Sequence, residues 1–250
     1  MNQEETRALY ERMATRRSAR REGLLGVSWF DRFDPATLAA DADLAARLDA
    51  VLSHALRGHR GAWDSALDLG CGTFFYSRLL SARFRRVVGV DASRSMLRAG
   101  RDAGAASPGL SPVRLVRADA ARLPFAAGSF DCVLCLDSLH HAGSPGALFS
   151  EARRVLARDG AFIAVEPNMQ NPGMFLAHLF PRPERAALLL DWPRRLRRLA
   201  GRFFEDVEIS FFNLAISPGY AGAAGRIFPF KPRPGAPFCL RMVMTARGKK

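Results

Sequence analysis

The stretch ALDLGCGTFFYS spans residues 66–77. Ala66 to Leu69 is a short apolar run of strand character, Gly70-Cys71-Gly72 is a tight turn, and Thr73 to Ala82 has helical texture. Paired glycines permit a sharp turn and let a ligand approach the backbone closely. A helix beginning just behind such a turn offers unpaired N–H groups to that ligand. The same alternation continues on the C-terminal side. Strands are expected at Arg86–Val90, Val113–Arg117, Phe130–Leu136 and Ala161–Val165. Helices are expected at Ser93–Arg101, with Ser93 as its N-cap, and at Gly146–Arg158, stopped by Asp159-Gly160. All-apolar strands separated by helices mean a parallel sheet covered on both faces, an α/β doubly wound fold.

Three acids stand at the ligand edge of that sheet. Asp91 closes the strand VVGVD, where a carboxylate suits the two hydroxyls of a ribose. Asp119 follows the strand RLVR, within reach of a base edge, and Asp68 lies two residues before Gly70. Each acid also has a plain structural use, as a turn cap, a helix cap or a loop acid held by backbone. Their joint spacing favours a ligand. A dinucleotide fold wants Gly-x-Gly-x-x-Gly, but its third glycine falls at Phe75, and Asp68 would repel a pyrophosphate. S-adenosylmethionine has no phosphate; it offers an ammonium, a sulfonium, a ribose and an adenine, which match Asp68, Asp91 and Asp119 better.

With ALDLGCGT (66–73), VVGVDASRSML (87–97), VRADAARLPFAAGSFDCVLCLDSLHHAGSP (116–145) and EARRVLARDGAFIAVEPN (151–168), the sequence resembles class I S-adenosylmethionine-dependent methyltransferases of the small-molecule and quinone type. The resemblance implies a Rossmann-like, mostly parallel seven-stranded sheet whose last strand is antiparallel. It also implies S-adenosylmethionine as cofactor. Asp68 and the turn Gly70, Cys71, Gly72 and Thr73 would then hold the methionine part. Asp91 would take the ribose hydroxyls, Ala92 and Met96 would flank the adenine, and Asp119 and Ala120 would meet its edge. Asp137, Ser138 and Leu139 would line the floor near the sulfonium. One departure stands out: the family pattern G-x-G-T-G carries a third glycine where this chain has Phe74. Bulk there is expected to narrow the methionine end of the pocket or shift the turn.

Methyl transfer needs a base only when the acceptor is a weak nucleophile. His141, after the fourth strand beside His140, and Glu166, at the end of the fifth in VEPN, are the candidates. Pocket-wall packing is the competing use of the histidine, and loop anchoring that of the glutamate. Trp29 and Phe30, with Tyr220, Phe228 and Phe230, are candidates to line the acceptor site. The expected organisation is an N-terminal helical cap over 1–60 and a methyltransferase domain over 61–250. Within that domain, 167–203 is a helical insertion and 213–236 an acceptor-side loop.

The 250 residues include 37 basic and 24 acidic side chains, a net +13. Only Lys231, Lys249 and Lys250 are lysines, an arginine skew in keeping with codon bias. Residues 167–250 hold 14 basic and five acidic side chains, so most of the excess lies in the part expected to shape the acceptor site. That favours a small anionic or lipid-like acceptor, with peripheral membrane contact as an alternative and nucleic acid as the weaker one. A domain that keeps the cofactor fold but has lost catalysis is a further alternative. Four cysteines are too few for a disulfide framework. Cys132 and Cys135 sit in the strand FDCVLCLD, where positions i and i+3 face opposite ways, so no metal is expected there. No apolar run is long enough to span a bilayer and the N-terminus is charged, so a cytoplasmic location is expected.

Overall fold

The computed structural model describes residue 8 and residues 42–57, 63–105, 114–179, 185–212 and 239–248. The strands are β1 (Ser65–Leu69), β2 (Arg86–Asp91), β3 (Arg114–Arg117), β4 (Phe130–Leu136), β5 (Leu156–Pro167), β6 (Asp206–Phe212) and β7 (Arg241–Arg247). They form one sheet in the order β3-β2-β1-β4-β5-β7-β6. Strands β1 to β5 pair in parallel, and β7 is antiparallel to both β5 and β6. The expected doubly wound sheet with an antiparallel last strand is the one observed.

Side chains alternate across this sheet into two cores. Leu67, Leu69, Val88, Val90, Val133, Cys135, Phe162 and Ala164 face one way. They meet Leu148, Phe149, Ala152 and Val155 of helix α4 (Pro145–Val155) and Leu196 and Ala200 of helix α7 (Pro193–Ala200). Phe149 packs edge-on against Phe162 at 5.4 Å between ring centres. Ala66, Val87, Cys132, Leu134, Ile163 and Val165 face the other way. They meet Leu48, Val51, Leu52 and Ala55, one stripe of helix α1 (Ala42–Ala55). Cys132 and Cys135 therefore lie on opposite faces, and all four cysteines are buried and unbridged.

The remaining helices are α2 (Phe75–Leu80), α3 (Arg94–Ala105), α5 (Pro172–Leu179) and α6 (Arg185–Leu190). Helix α3 carries its expected cap, with the Met96 amide donating to Ser93 Oγ at 3.2 Å. Helix α4 ends earlier than the sequence suggests. Its last residue is Val155 rather than Arg158, because Leu156 is already extended and pairs with Phe130. The ladder shifts register before resuming at Cys132 and Ala161, so residues on either side of Asp159-Gly160 belong to β5.

Of the expected 1–60 cap, helix α1 is described. The insertion 167–203 contains α5, α6 and α7. The 213–236 segment, with Tyr220, Phe228 and Phe230, lies outside the described residues, as do Trp29 and Phe30. No described helix is long and apolar enough to cross a membrane.

Candidate functional site

The C-terminal ends of β1, β2, β4 and β5 converge on one edge of the sheet, the place where open α/β sheets hold their ligands. At the end of β1 the chain turns through Gly70, whose φ of 72° is left-handed. A Cβ there would stand 2.5 Å from Ser138 Cβ, so only glycine fits. The amides of Gly70 and Cys71 both donate to Val90 O, at 2.8 and 3.0 Å, tying the turn to the end of β2.

Asp91 binds the same turn from the side. Its Oδ2 accepts from the Gly72 amide at 2.9 Å and its Oδ1 from the Ser93 amide at 2.8 Å. These two bonds from backbone amides fix the orientation of the carboxylate at the end of β2. Ala92 and Met96 follow directly, Ala92 half-buried and Met96 buried. Asp119 is exposed and accepts from the Ala121 amide at 2.9 Å, a local turn, with Ala120 half-buried beside it.

Asp68 is 1% exposed and accepts a 2.6 Å hydrogen bond from Ser77 Oγ. Burial pushes its carboxyl up to about 6; the Ser77 bond opposes the shift and the neighbouring Asp91 charge adds to it. A buried carboxylate under this strain gains most from a cationic ligand.

Phe74, which stands where the family pattern has glycine, is buried. Its backbone is left-handed, with φ 49°. Its ring turns away to pack with Cys71, Leu97 and Leu115, against the face of α3 that Gly100 leaves bare. The phenylalanine thus serves as a core residue between the turn and α3.

Behind the turn, β4 ends in Asp137, whose φ of 48° swings the chain into Ser138 and Leu139. Arg241 of β7, itself buried, donates to Asp137 Oδ1. Ser138 Oγ donates to Leu69 O at 2.8 Å. Glu166 Oε1 accepts from the amides of Leu139 at 2.9 Å and Ser138 at 3.2 Å.

A methyltransferase domain family model matches residues 67–164. A demethylmenaquinone methyltransferase of Symbiobacterium thermophilum is 33% identical over 132 residues, 52% of this chain and 53% of that protein. A malonyl-[acyl-carrier protein] O-methyltransferase of Legionella pneumophila is 35% identical over 99 residues, 39% of this chain and 34% of that protein. The chain spans a third to a half of the length of such curated relatives. Among solved structures, a Thermotoga maritima protein described as a SAM-dependent methyltransferase superposes with a TM-score of 0.64 at 17% identity, over 98% of this chain and all of that one. Residues 67–164 are thus similar to a methyltransferase domain, and the sheet around them has the fold of S-adenosylmethionine-dependent methyltransferases.

S-adenosylmethionine, the cofactor of that domain family, fits these residues: a buried carboxylate pushed up in pKa suits an ammonium, a half-buried one at the end of β2 suits a diol, and the glycine turn admits close approach between them.

Two candidates for base chemistry separate in space. Glu166 is completely enclosed, and both its oxygens are taken by the Ser138 and Leu139 amides and by His140 Nδ1, 2.5 Å from Oε2. Of its two expected uses, loop anchoring is the one the geometry supports; an enclosed carboxylate does not meet an acceptor. His141 is half-buried, with its ring 4.1 Å from that of His140. Sequence reasoning missed Ser77, Arg241, His140 as the Glu166 partner, and Asp191. The one available signal was Asp191 itself, an acid between ALLL and WPRRLRR where a solvated face would be basic.

Proposed function

We propose that the chain transfers a methyl group from S-adenosylmethionine to a small-molecule acceptor. The carrying observation is the grouping of Asp68, the Gly70 turn and Asp91 at one sheet edge, closed from below by Ser138. When bound, the cofactor supplies an electrophilic methyl group on a sulfonium. In this reading Asp68 holds the ammonium, and backbone groups of Gly70 to Thr73 pass along the methionine part. Asp91 takes the ribose hydroxyls, Ala92 and Met96 enclose the adenine, and Asp119 and Ala120 border its edge. Asp137, Ser138 and Leu139 form the floor. The protein's share of catalysis is orientation and exclusion of water, which can supply most of the barrier reduction when the electrophile is already activated. His141 remains the candidate to take a proton from a hydroxyl acceptor, and Trp29, Phe30, Tyr220, Phe228 and Phe230 the candidates for the acceptor wall.

The test is transfer of labelled methyl from the cofactor into candidate acceptors, with Asp91→Ala as control, beside calorimetry with S-adenosylhomocysteine. Label transfer that survives Asp91→Ala unchanged, or absence of binding, refutes the assignment.

An amphiphilic acceptor at an anionic lipid surface is favoured by a specific observation. The exposed large apolar side chains among the described residues are Leu176, Leu189 and Trp192, all in the insertion, where the Trp192 ring meets Phe175 at 6.3 Å. Exposed Arg194, Arg195 and Arg198 follow directly on α7. Leu196 is spent on the core, so α7 itself presents charge rather than an apolar stripe, and Leu189 and Trp192 supply the apolar part. Sedimentation with anionic and zwitterionic vesicles separates this reading from a freely diffusing acceptor. Retention on anionic vesicles only, lost in Trp192→Ser, supports it, and no retention at low salt removes it.

A further inference from the structure

The strongest unexplained feature is a fully buried polar cluster: His140, Glu166 and Asp191, with side chains 1%, 0% and 0% exposed. His140 Nδ1 lies 2.5 Å from Glu166 Oε2 and 3.2 Å from Asp191 Oδ2. Three segments contribute: the short helical turn Leu139–His141 after β4, the end of β5, and the residue that follows α6. We propose that His140 and Asp191 are positioning residues that act through Glu166 to lock the Ser138–Leu139 backbone as a rigid floor for the cofactor. This rests on the methyltransferase reading above.

The argument is one of compensation. An ionised carboxylate enclosed as Glu166 is would be untenable alone. Two backbone amides satisfy Oε1, and the imidazole satisfies Oε2. A carboxylate can only accept, so Nδ1 must carry a proton. Burial works against a charged His140, but the Glu166 and Asp191 charges outweigh it and hold its pKa well above 6.5. Burial, with the Glu166 charge, raises Asp191 in turn, so that two acids and one imidazole need not carry a net charge. The 2.5 Å separation suits a shared proton. The same three side chains have donor types that a metal ion also accepts, so metal content is one of the measurements in the test.

The lock reaches the cofactor side directly. Ser138 fills the space under Gly70 and donates to Leu69 O, so a shift of the 138–139 backbone moves the turn above it. It also reaches the acceptor side. Asp191 belongs to the 167–203 insertion and is held there by its amide on Ala187 O at 2.8 Å, while its carbonyl accepts from Met169 at 3.2 Å. The cofactor floor is thus fastened to the insertion as well as to the sheet.

The experiment uses the full chain and two readouts: S-adenosylhomocysteine affinity by calorimetry, and hydrogen exchange at the Ser138 and Leu139 amides without ligand. An asparagine at 140 places a donor where Nδ1 stands, whereas a glutamine places it near Nε2. His140→Asn is expected to stay within about threefold of wild type in affinity with both amides protected. His140→Gln, although equally polar, is expected to lose roughly tenfold or more and to expose both amides. Asp191→Asn should resemble His140→Asn, and Asp191→Leu should resemble His140→Gln. Equal affinity and equal protection in His140→Asn and His140→Gln overturn the proposal, as does a stoichiometric metal ion in the purified wild-type protein. If wild type binds no S-adenosylhomocysteine, the methyltransferase reading fails, while the exchange pattern still decides whether the lock exists.

Discussion

Replacing Asp68 by asparagine tests the cofactor assignment most directly, because the buried carboxyl has a pH signature of its own. Its pKa stands at about 6, against 3.8 for a free aspartate, with burial as the main cause. If the ionised form partners the ligand ammonium, affinity follows the ionised fraction. That fraction is about one tenth at pH 5 and nine tenths at pH 7, so wild type should bind S-adenosylhomocysteine roughly ninefold more tightly at pH 7. The free protein should respond in the opposite sense. A raised carboxyl pKa means the fold favours the protonated group, so its contribution is complete below about pH 4 and is lost as pH rises through 6. That contribution is on the order of 3 kcal/mol. Asp68→Asn keeps the shape and can still meet Ser77, but it cannot ionise. Its affinity should be weak and level across pH 5–7, and its urea midpoint should fall less than that of wild type between pH 4 and 7. The paired assays are calorimetry at pH 5, 6, 7 and 8 and urea unfolding at the same values extended to pH 4. A wild-type affinity that is flat from pH 5 to 7, or a slope that persists in Asp68→Asn, refutes the reasoning.

Gly70→Ala should abolish measurable cofactor binding, because its methyl group meets Ser138 Cβ at 2.5 Å and φ is 72°; adding Ser138→Gly should restore part of it, which calorimetry on the double variant reads. Phe74→Ala should cost about 3 kcal/mol in urea unfolding for the lost ring, and Phe74→Gly should cost no more, since glycine alone is at ease at φ 49°. A clearly more stable alanine variant would contradict the left-handed backbone there. The four cysteines should resist a thiol reagent until the protein unfolds, because all are buried and burial pushes the Cys71, Cys132 and Cys135 thiols up; fast labelling of the native protein would show an opening near the sheet.

The sheet was legible because its strands are apolar on both faces and each ends in punctuation. Phe130–Leu136 was bounded to the residue, and Asp91 stood where β2 ends. The end of α4 was not legible. Asp159-Gly160 is an ordinary helix stop locally, but pairing of Leu156 with Phe130 takes the chain first, and that contact lies far along the sequence. The place of the Phe74 ring was not legible for a related reason. A bulky residue at a glycine position reads as obstruction, and only the bare face of Gly100 on α3 shows where the ring goes. Asp68 and Asp91 were legible as candidates because a local motif, the strand–glycine turn and the end of VVGVD, announces them. His140 and Asp191 were not singled out, since their meaning depends on three segments that meet only in the folded chain.

Phe212 and Arg241 form a cross-strand pair at the ends of β6 and β7. Residues 213–240 therefore leave the sheet and rejoin it at neighbouring points, on the edge that carries Asp137. Once two ends are anchored side by side, doubling the length between them costs only about 0.6 kcal/mol. The antiparallel strand thus acts as a cassette boundary. A segment of different length and chemistry can therefore follow Phe212 while the strands on either side of it keep their register.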